Sequence, residues 1–142
     1  MKIIYCITKA DNGGAQTHLI QLANHFCVHH DVYVIVGNHG PMIEQLDARV
    51  NVIILEHLVG PIDFKQDILA VKVLAQLFSK IKPDVIHLHS SKAGTVGRIA
   101  KFISKSKDTR VVFTAHGWAF TEGVKPAKKF LYLVIEKLMS RI

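Results

Sequence analysis

Five short apolar runs recur along this 142-residue chain, and each is followed by a stretch with helical spacing. The runs are Ile3–Ile7, Val32–Val36, Val50–Leu55, Val85–His89 and Arg110–Ala115. Ile3–Ile7 and Val32–Val36 are continuous rather than alternating, the pattern of strands covered on both faces. Strands that alternate with helices imply a parallel sheet with crossover connections. The expected fold is therefore α/β: a doubly wound, mostly parallel, Rossmann-like sheet in one domain spanning residues 1–142. Ile4, Cys6, Val34, Ile54, Ile86, Leu88 and Val112 are expected in its interior. Punctuation supports the reading. Asp63 is placed to cap a long helix bearing Ile68, Leu69, Val71, Leu74, Phe78 and Ile81, and Pro83-Asp84 stops it. Ser90-Ser91 can cap a helix from about Lys92 to Lys105, and Pro126 opens a last helix running to Ile142.

The first unit, KIIYCITKADNGGAQTHLIQL, reads as strand, glycine loop and helix. Ala15, Leu19, Leu22, Ala23 and Phe26 share one helical face. A strand turning sharply into a helix leaves the first helical N–H groups unpaired, and their partial positive charge suits an anion. Gly13-Gly14 adds free backbone angles and leaves no side chain to hold a ligand away. These residues alone support two readings equally: a loop that touches a phosphate or sugar, and a tight turn that needs glycine for its geometry.

In a doubly wound sheet, ligands bind beyond the carboxyl ends of the strands where the strand order reverses. With an order of 3-2-1 and the fourth strand on the far side of the first, three loops meet at one rim. They are Lys9–Gly14, His89–Lys92 and His116–Trp118. The site residues expected there are Asn12, Gly13 and Gly14, then His89, Ser90 and Lys92, then His116 and Gly117. His116 closes the fifth strand, where a neutral imidazole can hydrogen-bond a sugar hydroxyl or help move a proton.

Several other chemistries are excluded. The chain holds no G-x-x-x-x-G-K-[ST] loop and no G-x-S-x-G elbow. Its second strand ends in Val36-Gly37-Asn38, with no carboxylate for a ribose 2′-OH, which argues against NAD. Among nine histidines, His87 and His89 face the same way on a strand, and His25 and His29 stand at i,i+4 on a helix. Neither pair gains a third ligand of fixed spacing, so no metal site is expected.

Charge divides the chain. Residues 1–79 carry five Lys/Arg against seven Asp/Glu, and residues 80–142 carry thirteen against four. A basic half suits an anionic partner such as a nucleotide or a phospholipid surface. Basic residues interleaved with stacking aromatics are lacking, so nucleic acid is not expected. The two cysteines fall in a strand and a helix, as buried thiols of a reducing, cytoplasmic setting. No apolar run approaches the roughly 20 residues of a membrane span, and the opening apolar stretch is too short for a signal peptide.

Three segments carry a family resemblance: DNGGAQTHLIQLA, KPDVIHLHSSKAGTVGRIAK and VVFTAHGWAF. In this order and spacing they resemble the N-terminal half of family 4 ("group 1") retaining glycosyltransferases of the GT-B fold, enzymes of bacterial polysaccharide and lipopolysaccharide assembly. The resemblance covers nearly the whole chain. It implies that Gly13 and Gly14 approach the donor phosphates and the acceptor, and that His116 reaches the donor sugar. It implies a nucleotide-sugar as co-substrate, no separate cofactor, and a glycan or lipid-linked acceptor held mainly on this domain. It also implies retaining transfer without a fixed protein nucleophile. The family's second Rossmann-like domain, with its Glu-x7-Glu motif, has no counterpart in these residues. The chain thus reads as the acceptor-side N-terminal domain of a larger transferase, inactive by itself. Peripheral contact with anionic lipid at the inner membrane face and a homodimer through the apolar last helix are further expectations. The competing reading is a stand-alone doubly wound module that binds a phosphorylated small molecule.

Overall fold

The computed structural model describes residues 1–104, 106, 108–116, 130, 134 and 137. Its elements are β1 (Lys2–Ile7), α1 (Gly14–Phe26), β2 (Asp31–Val36), α2 (Pro41–Glu44), β3 (Asn51–Ile54), α3 (Phe64–Ile81), β4 (Val85–Leu88), α4 (Ser91–Ile103) and β5 (Arg110–Phe113). All four strand pairings are parallel, in the order β3-β2-β1-β4-β5. Reversal of the strand order falls between β1 and β4, as the sequence predicts. Of the expected last helix from Pro126 only residues 130, 134 and 137 are described, each helical, and the dimer contact assigned to it, Gly117 and Trp118 lie outside the described residues.

Side-chain alternation along β1 builds two cores. Ile4 and Cys6 point to one face, where they pack with Ile35, Leu74, Phe78, Ile86, Leu88 and Val96 under α3 and α4. Ile3, Tyr5 and Ile7 point to the other and pack with Leu19, Ala23, Val32, Val34 and Met42 under α1 and α2. A sheet covered on both faces needs apolar residues at every position of its central strands, which explains the unbroken runs. Each fully buried Leu, Ile or Phe contributes about 1.5–3 kcal/mol from area removed from water. Both cysteines are buried free thiols, and burial pushes Cys6 up to about 12.

Ile4, Cys6, Val34, Ile86 and Leu88 are buried as expected. Two of the expected interior residues differ. Val112 is 44% exposed because, among the described residues, β5 is an edge strand, and Ile54 on the opposite edge strand is only partly buried. Strand ends also shift: β3 and β5 are shorter than the apolar runs that predict them.

Helix α3 is capped as its sequence predicts, with Asp63 accepting hydrogen bonds from the Lys65 and Gln66 amides at 3.0 and 3.1 Å. It ends on Lys82, whose φ of 53° lies in the left-handed region. Gly37, just after β2, sits where two chain segments cross. A Cβ there would overlap the carbonyl oxygens of both Leu58 and Thr8, so only glycine fits.

Candidate active site

The three rim loops converge. A cavity of about 330 Å³ is lined by Thr8, Lys9, Ala15 and Gln16 from the β1–α1 connection, by His89, Ser90 and Ser91 after β4, and by Thr114, Ala115 and His116 after β5. Backbone hydrogen bonds continue the sheet past its last strand residues. The His89 amide donates to the Cys6 carbonyl and the Thr114 amide to the Leu88 carbonyl. Thr8 Oγ1 lies 3.1 Å from Ser90 Oγ, tying the end of β1 to the start of α4.

The first loop is held from both sides. Gln16 donates to the Lys9 carbonyl at 3.0 Å, and the Ala10 amide donates to Asn38 Oδ1 at 3.0 Å. Asn38, at the position where a dinucleotide site would carry its ribose-binding carboxylate, instead anchors this loop. Gly13 is the N-cap of α1 and makes no side-chain cap hydrogen bond. Its φ of 175° is extended backbone open to any residue, so conformational strain does not explain the glycine. A Cβ on Gly14 would meet nothing within 4 Å. Gly14 thus leaves clear space at the uncapped end of α1, whereas a Cβ on Gly13 would meet the Gln16 side-chain oxygen at 2.7 Å.

Behind the cavity stands a column of histidines. His87 and His89 share a face, with ring centroids 4.0 Å apart. His87 Nε2 lies 2.7 Å from Thr114 Oγ1, which fixes that ring against the start of the β5 loop. His89 is 1% exposed. Its Nδ1 lies 3.0 Å from His116 Nε2, so one of the two nitrogens carries the proton and the other accepts it. His18, one turn into α1, completes the group with ring centroids 5.7 Å from His89 and 5.3 Å from His116. Burial pushes His87 down to about 4 and His89 to about 3, reinforced by the neighbouring imidazoles. Burial, and then His18, also lowers His116. His87, His89 and His116 are therefore neutral at ordinary pH, and His116 presents an uncharged, accessible ring at the cavity.

Of the residues expected at the rim, His89, Ser90 and His116 line one cavity, whereas Gly13 and Gly14 are not in its lining, which α1 supplies through Ala15 and Gln16. Ser90 caps α4, accepting from the Ala93 amide at 3.2 Å. Lys92 is not in the lining. Its Nζ pairs with Asp67 of α3 at 2.5 and 2.7 Å, and its side chain is 11% exposed. Asn12 is exposed and accepts from Gln45 at 3.2 Å, outside the cavity. Sequence reasoning missed His18, Gln16 and Thr114. His18 was detectable in principle, because it follows Gly14 by four residues and so faces the same way as the helix end.

Residues 12–142 match Glycosyltransferase Family 4. The chain belongs to this family. Among its relatives, the Escherichia coli UDP-Gal:alpha-D-GlcNAc-diphosphoundecaprenol alpha-1,3-galactosyltransferase is 33% identical over 106 residues, covering 75% of this chain and 27% of that protein. An uncharacterised 41.2 kDa protein of the Klebsiella pneumoniae cps region is 41% identical over 63 residues, 42% of this chain and 17% of that protein. The Anabaena protein HepE, crystallised with UDP-glucose, superposes with a TM-score of 0.68 at 21% identity, over 95% of this chain and 34% of that one. That likeness concerns the fold, and it places the five-stranded sheet in the N-terminal half of the GT-B architecture. The chain spans 27% and 34% of the lengths of the E. coli and Anabaena proteins.

Proposed function

We propose that this chain is the acceptor-side, N-terminal domain of a retaining family 4 glycosyltransferase. The larger enzyme moves a sugar from a nucleotide-sugar to a lipid-linked or polysaccharide acceptor in bacterial surface-glycan synthesis. The observation that carries the reading is the rim itself. A neutral His116, the uncapped α1 end behind Gly13-Gly14, and the hydroxyls of Thr8 and Ser90 face one cavity at the reversal of strand order. The E. coli relative, a galactosyltransferase named for UDP-Gal and a diphosphoundecaprenol acceptor, supports both substrate classes.

In the proposed reaction the bond from the sugar's anomeric carbon to the donor diphosphate breaks. A bond to an acceptor hydroxyl forms on the same face, and the hydroxyl proton leaves with the nucleoside diphosphate. The chain's part is to hold acceptor and sugar. The α1 amides offer positive ends to phosphate oxygens. His116 hydrogen-bonds a sugar hydroxyl in a form that carries no charge into the site. The setting is cytoplasmic, with the basic half resting on anionic lipid. Among the described residues no helix is long and apolar enough to cross a membrane, so such contact would be peripheral. Equal co-sedimentation with anionic and neutral vesicles would refute it.

The test uses the protein that carries this chain, assayed with UDP-sugars and an undecaprenyl-diphosphate-sugar acceptor. His116→Ala should lower turnover by roughly 10²–10³, the loss typical of a well-placed transition-state hydrogen bond. The domain should stay folded with a lowered melting temperature, because the side chain is exposed but is also the partner of buried His89 Nδ1. Gly14→Val should abolish substrate binding while the fold survives, since its side chain enters open space. Near wild-type turnover in His116→Ala would remove the residue from the site.

A further inference from the structure

We propose that His18, His89 and His116 form a binding site for a divalent transition-metal ion of the zinc type. One ring nitrogen from each lies within 4.8 Å of the other two. Around a tetrahedral ion with bonds near 2.0–2.1 Å, ligand nitrogens stand about 3.3 Å apart. His89 Nδ1 and His116 Nε2, at 3.0 Å, already have nearly that spacing. The third ligand has to close by at most about 1.5 Å to reach the spacing that zinc demands. A side-chain rotation of His18 on α1 supplies that much movement. The three residues come from three elements, and His89 is fixed by its burial. The site is thus built by the fold around one rigid ligand and two accessible ones.

The proton shared by His89 and His116 has somewhere to go. When an ion enters, that proton moves to the other nitrogen of the ring that carried it, both facing lone pairs turn to the metal, and no net proton is released. His89 Nε2 is buried with no hydrogen-bond partner among the described residues. It is the nitrogen that holds the proton once Nδ1 ligates. Well-built sites give that second N–H an acceptor, and its loss costs about 10–100-fold in affinity. Binding in the micromolar range is therefore expected, rather than the tight binding of a structural zinc. An all-imidazole set selects zinc, cobalt, nickel or copper over magnesium or calcium. Three protein ligands leave the fourth position to water.

The site shares His116 with the transferase reading, so an ion bound there would compete with the sugar contact, and the readout used to test it is the ion itself. Zinc titrated into the chain by calorimetry should bind one equivalent, and cobalt should give the intense visible absorption of a tetrahedral site. His18→Ala and His116→Ala should each weaken zinc binding at least about 10-fold, the scale on which loss of even an outer-shell partner is felt. His116→Gln guards against a folding artefact and should weaken it equally. His25→Ala combined with His29→Ala should change nothing, and magnesium should give no heat. Wild-type affinity in the His18 and His116 variants would overturn the proposal. So would loss of binding in the His25/His29 variant, or an absence of stoichiometric binding by the unaltered chain.

Discussion

His89 sits at the floor of the rim with almost no exposure, and its neutral state has a thermodynamic consequence. In the unfolded chain its imidazole and that of His87 titrate near 6.5, whereas in the fold they titrate near 3 and 4. Between those values the unfolded state binds more protons. Stability is therefore fully present above about pH 6.5 and falls as pH drops towards about 4. Each ring that stays neutral in the fold steepens the fall by up to about 1.4 kcal/mol per pH unit. Urea denaturation of the metal-free chain across this window should show the decline. A flat profile would mean that these rings are as easily protonated in the fold as in water. The His87–Thr114 and His89–His116 contacts explain why the sequence did not disclose this arrangement. Both join residues 27 positions apart, so strand parity puts His87 and His89 on one side but says nothing of what meets them. Lys92 shows the same limit in reverse: its position in the first turn of α4 suggests the rim, but Asp67, 25 residues away on α3, takes its charge.

At the scale of the element, the two ends of α3 differ in how well their residues suit them. Asp63 accepts two backbone amides and is a sound cap; Asp63→Ala should cost about 1 kcal/mol. Lys82 ends the same helix in the left-handed region, at φ 53°. A non-glycine residue there carries roughly 1–2 kcal/mol of strain, whereas glycine carries roughly 0.5–1 kcal/mol of extra chain entropy. Strain outweighs entropy, so Lys82→Gly should stabilise the domain by about 0.5 kcal/mol. Thermal melts of the two variants should move in opposite directions, and a fall for both would show that the Lys82 backbone is unstrained. Helix boundaries were legible because caps and breakers act locally, as Asp63 and Ser90 do. Interior positions were legible wherever a strand has neighbours on both sides. Val112 failed that test because an apolar run does not reveal which strand will lie at the edge, and among the described residues β5 has a partner on one side only. Gly37 shows the converse: the sequence marks a strand end, but the carbonyls of Leu58 and Thr8 that forbid any side chain are visible only once β1, β2 and the loop after β3 are assembled.

At the scale of the whole molecule, a doubly wound sheet offers one wall of a ligand crevice. The rim cavity lies beyond the strand ends, and among the described residues its lining comes from the end of β1 with its loop, the start of α1, and the segments after β4 and β5. Among the described residues the lining contains one lysine, Lys9, which is exposed and lies 3.8 Å from Asp11. Lys92, the other basic residue expected there, is committed to Asp67. A nucleoside diphosphate needs more than this: its phosphates carry multiple charges, and charge-assisted contacts from basic side chains are what hold such groups firmly. Helix amides from one uncapped N-terminus give typically 0.3–1 kcal/mol, and up to about 2 kcal/mol in partly buried geometries. That is far short of the roughly 8 kcal/mol of a micromolar complex. The E. coli and Anabaena relatives are each about three times the length of this chain, since the matched residues make up 27% and 34% of them. We therefore expect the 142-residue chain to bind UDP-sugars no more tightly than about millimolar and to show no turnover with them. Calorimetry with UDP-glucose and UDP-galactose, together with an assay for released UDP, checks both parts. A micromolar dissociation constant would show that the rim of this domain supplies most of the donor site. The division of labour would then have to be redrawn, with the glycine loop and His116 holding the nucleotide-sugar as well as the acceptor.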